Sequence, residues 1–245
     1  VERSRGLGDV YKRQPPTNFT KGQNMISPQD LLHLYQTRST CKQYNPDHQI
    51  SVDDFQVILE SARLSPSSFG FEPWHFVVVQ NPELRQLIGQ HAWGAKDKIG
   101  ECSHFVLILA RQANTLHADS PYIMQMMEQV HGIAPEAAAV RRERYREFCE
   151  QDFALNPENP RSFYDWACKQ CYIALGNMLT TAAALNIDAT AVEGFPLETL
   201  NRLLVEQGVF DGEVFKLAVM CAFGYRADAP RPKTRQSAQE VISWK

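Results

Sequence analysis

Phe105-Val106-Leu107-Ile108-Leu109-Ala110 is an apolar run with no polar side chain to turn toward water on either side. Such a run reads as a strand buried on both faces of a sheet, and the fold is built around it. Phe76-Val77-Val78-Val79, rich in β-branched side chains, predicts a second buried strand of the same kind. Residues 190–192 and 214–225 predict two more.

Helices with legible ends separate these strands. Ser27-Pro28 with Asp30 supplies an N-cap, a proline at the first helical position and an acidic first turn, which predicts a helix to about Arg38. Ser51 with Asp54 repeats the cap, and Phe55, Ile58, Leu59 and Ala62 follow at helical spacing toward Leu64. Asn81-Pro82-Glu83 caps a third helix, and a short one over 196–207 ends at Gly208. Residues 161–185 predict a long helix rich in small residues, among them Ala167, Ala174, Gly176 and Ala182. A helix apolar almost all round is buried, here against a partner subunit as well as a core. The polar, charged, helical stretch over about 114–160 reads as an insertion.

Strands and helices interleave without repeated βαβ units or a glycine-rich phosphate turn. The expected class is therefore α+β, with a mixed β-sheet flanked by helices, in preference to a doubly wound fold. Residues 1–24 show neither helical nor strand periodicity and are expected to be a flexible tail or a scar foreign to the fold. That leaves 25–245 as a single domain, in keeping with a length of 245 residues.

Composition narrows the function. Lys plus Arg is 25 against 28 for Asp plus Glu, a net charge of −3, which argues against nucleic acid and anionic membrane surfaces as partners. A hydrophobic fraction of 44% is enough for a sizeable core and excludes disorder over most of the chain. The six cysteines are scattered and follow no secretory signal, so reduced thiols and a cytoplasmic location are expected. The longest uncharged stretch, 171–187, is interrupted by Asn177, Thr180, Thr181 and Asn186 and falls short of a membrane span.

Several chemistries lack their residues. Cys168 and Cys171 have the spacing of half a zinc knuckle but no second pair, and read as a core pair; the seven histidines form no His-Glu-x-x-His motif, so no metal site is expected. Neither a Gly-x-Ser-x-Gly elbow nor a Walker pattern is present. Basic residues remain at three separated places, 38–42, 96–98 and 231–235, the first and last beside hydroxyls or prolines, and such groups are of the kind that hold a phosphate.

Read with Leu64-Ser65-Pro66-Ser67-Ser68, Glu72-Pro73-Trp74 and Val192-Glu193-Gly194-Phe195, the segments Arg38-Ser39-Thr40-Cys41-Lys42 and Pro232-Lys233-Thr234-Arg235 give the chain a strong resemblance to the FMN-dependent, oxygen-insensitive NAD(P)H nitroreductase family. The matching segments cover about 25–245. The resemblance implies an intertwined homodimer with FMN at the interface and a C-terminal tail crossing to the partner. It implies that Arg38, Lys233 and Arg235 hold the FMN phosphate, with Ser39 and the Thr40 hydroxyl beside them, as charge-assisted bonds to a dianion require. Lys42 and Lys98 would sit near the pyrimidine edge, where negative charge gathers on reduction. Glu193 and Gly194 would offer backbone N–H groups toward flavin N5 and O4, and Ser65, Pro66, Ser67 and Ser68 would reach the cofactor from the other subunit. Ala95, Phe69 and Gly70 depart from the family pattern.

The activity implied is hydride transfer from NAD(P)H through FMN to a nitroaromatic or quinone by a ping-pong mechanism, with no catalytic protein side chain required. Trp93, Tyr122, Tyr145 and Phe148 are candidates to line the pocket of a small aromatic acceptor, because flat molecules stack; ordinary core packing is the alternative for each. Rival readings are a same-fold flavoenzyme with another acceptor (an enone, a dihydropteridine or a halogenated aromatic), a non-catalytic flavin-binding module, and a flavin-free scaffold.

Overall fold

The computed structural model describes residues 26–156 and 158–245. The expected tail over 1–24 lies outside the described residues. The chain divides after Gln36 into two compact units, and the described part of the first, residues 26–36, holds helix α1 (Pro28–Thr37) up to its last residue. Its cap is as the sequence predicts, the Asp30 N–H donating to Ser27 Oγ at 3.0 Å.

The second unit opens with α2 (Val52–Arg63), capped by Ser51, whose hydroxyl accepts from the Asp54 N–H at 3.1 Å. Strand β1 (Trp74–Val79), helix α3 (Pro82–His91) and strand β2 (His104–Arg111) follow. The stretch expected to be a helical insertion contains α4 (Ala113–Leu116), α5 (Pro121–Gln125), α6 (Pro135–Glu147) and two π-helical turns, Met126–Val130 and Phe148–Asp152. The long helix α7 (Pro160–Ala184) leads to strand β3 (Asp188–Val192), helix α8 (Leu197–Glu206), strand β4 (Phe215–Gly224) and a terminal turn, α9 (Ala238–Val241).

The strands form one sheet in the order β1-β2-β4-β3. Each pairing is antiparallel, so within the described residues of one chain the sheet is antiparallel throughout, where the sequence had led us to expect a mixed one. The registers give the reason. Val79, the end of β1, lies opposite Phe105 near the start of β2, and Val192, the end of β3, lies opposite Met220 within β4. Connections holding α3 and α8 thus leave and re-enter at the same end of the sheet, whereas parallel pairing needs a crossover to the opposite end. A hydrophobic run carries no record of strand direction.

β2 is buried on both faces, as its composition dictates. Val106, Ile108 and Ala110 join one core cluster with α2 and α7; Phe105, Leu107 and Leu109 join another with Ile88 of α3 and Leu200 and Leu204 of α8. β4 keeps this division through a bulge opposite Ile108 and Leu109. Leu217 faces the second cluster; beyond the bulge the even-numbered Met220 and Ala222 do so, while Val219, Cys221 and Phe223 face the first. The Leu217 N–H donates to Asn201 Oδ1 at 2.8 Å, which ties α8 to the bulge.

Helix α7 covers the first cluster with Phe163, Trp166, Ala167, Ala174 and Met178, but it is not buried all round. Tyr172 and Ile173 remain exposed, and Val57 and Leu64 near the neighbouring α2 are exposed as well. β1 is also less buried than its β-branched run suggested, because it is an edge strand. Among the described residues no helix is long and apolar enough to cross a membrane.

Candidate functional site

Two distant segments meet first. The Asn45 N–H donates to Tyr225 O at 2.7 Å and the Ala227 N–H to Gln43 O at 2.9 Å, so 43–45 and 225–227 run together as a short antiparallel bridge. Loop 38–42 is brought beside the C-terminal segment, and Arg38, Ser39, Thr40, Lys42, Arg226, Asp228, Arg231, Lys233, Thr234 and Arg235 line one cavity of about 190 Å³. The loop is fixed from below by Thr190 of β3: its hydroxyl donates to Cys41 O at 2.8 Å and accepts from the Cys41 N–H at 3.1 Å. Tyr44, fully buried, extends its hydroxyl to the same threonine at 3.1 Å.

Arg226 was not singled out by sequence and turns out to be the strut of this cavity. Its guanidinium pairs with Asp188 at 2.6 Å and donates to Ser39 Oγ at 3.1 Å and Ser39 O at 3.2 Å. With Arg226 committed to Asp188, the remaining charged lining is Arg38, Lys42, Arg231, Lys233 and Arg235 against the single carboxylate of Asp228. Burial, and then Arg38 and Arg235 beside it, push the Lys233 ammonium below its ordinary value. A lysine whose positive charge is disfavoured by the cations beside it marks a site for an anion, and a phosphate dianion would favour that charge again.

A second group of expected residues lies where β3 ends. Gly194 accepts from the Gly94 N–H at 2.8 Å. A Cβ on Gly194 would lie 2.8 Å from the Trp93 ring and 2.9 Å from Gly94 Cα, so only glycine fits. Lys98 Nζ donates to Gly94 O at 3.1 Å, and Trp93, 77% exposed, lies over Gly194. Tyr172 of α7 donates its hydroxyl to the Glu193 carboxylate; burial first, and this bond second, raise the Tyr172 hydroxyl well above its ordinary value. Ala95 is fully buried in the second core cluster. Thr190 of β3, beneath the basic cavity, and Glu193, the residue just past the strand's end at the glycine turn, are three residues apart, about 10 Å at strand rise. That spacing leaves room for an extended linker between an anion in the cavity and a flat ring at the turn.

The serine segment forms a third group. Ser65 is buried, its hydroxyl donating to Ser61 O at 2.8 Å and accepting from Asn177 Nδ2 at 2.7 Å, which leaves it little capacity for a ligand. Pro66 is exposed, and Ser67 and Ser68 are half-buried. Ser67 Oγ accepts from the Glu72 N–H at 2.9 Å, and the Ser68 N–H donates to Gln170 Oε1 at 2.9 Å. Phe69 and Glu72 have left-handed backbones, with φ of +58° and +45°, a conformation that costs a non-glycine residue about 1 kcal/mol or more.

The four candidate pocket aromatics do not gather in one place. Trp93 stands at the glycine turn, whereas Tyr145 is fully buried, its hydroxyl donating to Leu116 O at 2.7 Å and its ring packing against Phe69 and Phe71. Phe148 is part of the same aromatic packing, next to Trp166 and Phe153. Tyr122 spends its hydroxyl on the carbonyls of Phe71 and Glu72. A larger cavity of about 610 Å³ along α3, lined by Asn81, Glu83 and Gln207 among others, contains none of these groups. Cys168 is half-buried and Cys171 buried on α7, and no cluster of metal-ligating side chains occurs among the described residues.

The sheet order, the basic cavity and the glycine turn together define an α+β protein of one recognisable family. The model of the nitroreductase family matches residues 35–225, and the chain belongs to that family. "Putative NAD(P)H nitroreductase YfkO" of Bacillus subtilis is 42% identical over 214 residues, covering 87% of this chain and 96% of the relative. Among solved structures, a nitroreductase-like protein of Streptococcus mutans superimposes with a TM-score of 0.72 at 20% identity, over 89% of this chain and 98% of its own. A structure from Exiguobacterium sibiricum, described as a nitroreductase in complex with FMN, does so with a TM-score of 0.67 at 18% identity, over 91% and 99%.

Proposed function

We propose that this member of the nitroreductase family is an FMN-dependent oxidoreductase that takes a hydride from NAD(P)H and reduces nitroaromatics or quinones by a ping-pong mechanism. The observation that carries the reading is the convergence of Arg38, Lys233 and Arg235, from segments nearly 200 positions apart, on one cavity. Its donor set suits the phosphate of FMN, with Ser39 and Thr40 adding hydroxyls. FMN, when bound, supplies the two-electron chemistry itself.

The protein's part is to hold and to shield. Arg38, Lys233 and Arg235 hold the phosphate, and Arg226 keeps Ser39 in position. The Glu193 and Gly194 backbone offers N–H groups at the flavin edge, and Gly194 permits the close approach. Lys42 and Lys98 lend positive charge toward the pyrimidine side, where reduction adds negative charge. Trp93 presents an exposed face on which a nicotinamide or an aromatic acceptor stacks. Ser67 and Ser68, with Pro66 exposed beside them, reach a cofactor held by the partner of a homodimer, and the buried Ser65 supports that loop.

The homodimer reading is supported by apolar side chains left uncovered on and beside α2 and α7: Val57, Leu64, Tyr172 and Ile173. Val241, Ile242 and Trp244 at the C-terminus are exposed too, as a tail that packs on a partner would be. The free cysteines and the need for NAD(P)H both fit a reaction in the cytoplasm.

The test is the visible spectrum of the protein supplied with FMN, before and after anaerobic NADPH or NADH. A flavin band that bleaches, and returns when a nitroaromatic or quinone is added, supports the reductase. A band that persists identifies a flavin-binding module, and no retained flavin refutes the cofactor reading. Light scattering on the same sample reads the homodimer.

A further inference from the structure

We propose that the helical insertion between β2 and α7 is a clamp that presents Ser67 and Ser68 to the cofactor, with Tyr122, His131 and Arg141 as its positioning residues. The inference rests on the reading that these serines contact FMN.

Four consecutive carbonyls carry it. Phe69 O accepts from Arg141 at 2.9 Å, Gly70 O pairs with His131 Nε2 at 2.9 Å, and Phe71 O and Glu72 O share the Tyr122 hydroxyl at 2.7 and 3.0 Å. All three side chains come from the insertion. The segment they hold does not keep its shape by local preference, since Phe69, Gly70 and Glu72 all have positive φ. A chain in this conformation turns its carbonyls outward, where they need donors from elsewhere.

The clamp acts on the serines through the backbone. The Glu72 N–H donates to Ser67 Oγ at 2.9 Å, so fixing Glu72 fixes the hydroxyl and leaves the Ser67 proton to donate away from the loop. Gln170 of α7 holds the Ser68 N–H from the other side. Tyr122 is itself fixed to the sheet, its ring lying 3.4 Å from the guanidinium carbon of Arg111 at the end of β2. Insertion, loop and sheet thus form one connected support. The departures at Phe69 and Gly70 fit this account: the Phe69 ring packs edge-on against Tyr145 and Phe148 of the insertion, and a Cβ on Gly70 would press on the His131 ring at 3.1 Å.

The test uses Tyr122→Phe, Arg141→Ala and Arg141→Lys in the full chain, with thermal melting as a check on folding. Two readouts are taken: hydrogen–deuterium exchange of the peptide covering 66–73 without FMN, and the FMN dissociation constant from flavin fluorescence. Loss of a hydrogen bond to the loop is expected to speed exchange there and to weaken FMN by about 2- to 13-fold, as a bond of ordinary strength implies. Arg141→Lys, which keeps a charged donor, is expected to recover most of both. Tyr122→Phe removes a single oxygen and remains decisive if Arg141→Ala melts early. Wild-type exchange at 66–73, or unchanged FMN affinity in Tyr122→Phe and Arg141→Ala, overturns the clamp while the cofactor reading stands. If wild type itself binds no FMN, the cofactor reading fails and the presenting role fails with it, even where exchange accelerates.

Discussion

Gly194 and Gly94 face each other backbone to backbone, the Gly94 N–H donating to the Gly194 carbonyl at 2.8 Å while the Trp93 ring closes over Gly194. A methyl group at Gly194 would meet that ring at 2.8 Å and Gly94 Cα at 2.9 Å, so the turn must open. Gly194→Ala is expected to weaken FMN binding by tenfold or more and to lower stability by about 1–3 kcal/mol, as overpacking does. Fluorescence titration and urea unfolding measure the two effects. Wild-type FMN affinity in this variant would remove the turn from the cofactor site.

Arg235 and Arg226 line the same cavity with different duties, and mutation separates them. Arg235→Ala removes a charged donor from an exposed segment and is expected to weaken FMN by about 1.5–3 kcal/mol with little change in melting temperature. Arg226→Ala also strands the largely buried Asp188 carboxylate, and is expected to cost about 1–3 kcal/mol of stability in addition to cofactor affinity. Equal melting temperatures for the two variants would refute this division of roles.

The contrast between these two arginines marks what a sequence shows. Arg235 was legible because it lies in a short string with Lys233 and Thr234, while Arg226 follows the last strand with no local pattern around it. Its partners Asp188 and Ser39 are 38 and 187 positions away, and only the fold brings them together. The caps at Ser27, Ser51 and Asn81 were readable because capping is a bond between neighbours in sequence. Strand direction was not, since both helix-bearing connections return to the end they left. Nor was the fate of Tyr122 and Tyr145, because an aromatic residue in a polar helical stretch has the same spelling whether it lines a pocket or fills a core.

His104 gives the fold a dependence on pH. Its ring stacks on Phe55 at 3.8 Å, and burial first, then Arg85, lowers its pKa from 6.5 to about 4. The folded state therefore takes up this proton less readily than the unfolded chain. The contribution is fully present above pH 6.5 and is lost as pH falls toward 4, because the unfolded state binds more protons in that window. With the ring only half withdrawn from solvent, the expected loss is about 1–2 kcal/mol. Urea unfolding at pH 7 and pH 4.5 measures it, and His104→Gln is expected to flatten the slope. A slope unchanged in that variant would assign the acid sensitivity to other groups.

Trp93 and Tyr145 test where an aromatic acceptor stacks. Trp93 is exposed over Gly194, so Trp93→Ala is expected to raise the acceptor KM by about 2- to 10-fold, the worth of one stacked ring, with kcat at saturating acceptor close to wild type. Trp93→Phe keeps a flat face and should recover most of that loss. Tyr145 is fully buried with its hydroxyl bonded to Leu116 O, so Tyr145→Ala should instead cost about 3–5 kcal/mol of stability, the usual effect of emptying an aromatic core position. If Trp93→Ala leaves the KM of every nitroaromatic and quinone unchanged while Tyr145→Phe alters acceptor preference, the acceptor lies on the insertion side and the stacking role passes from Trp93 to the aromatic residues packed there.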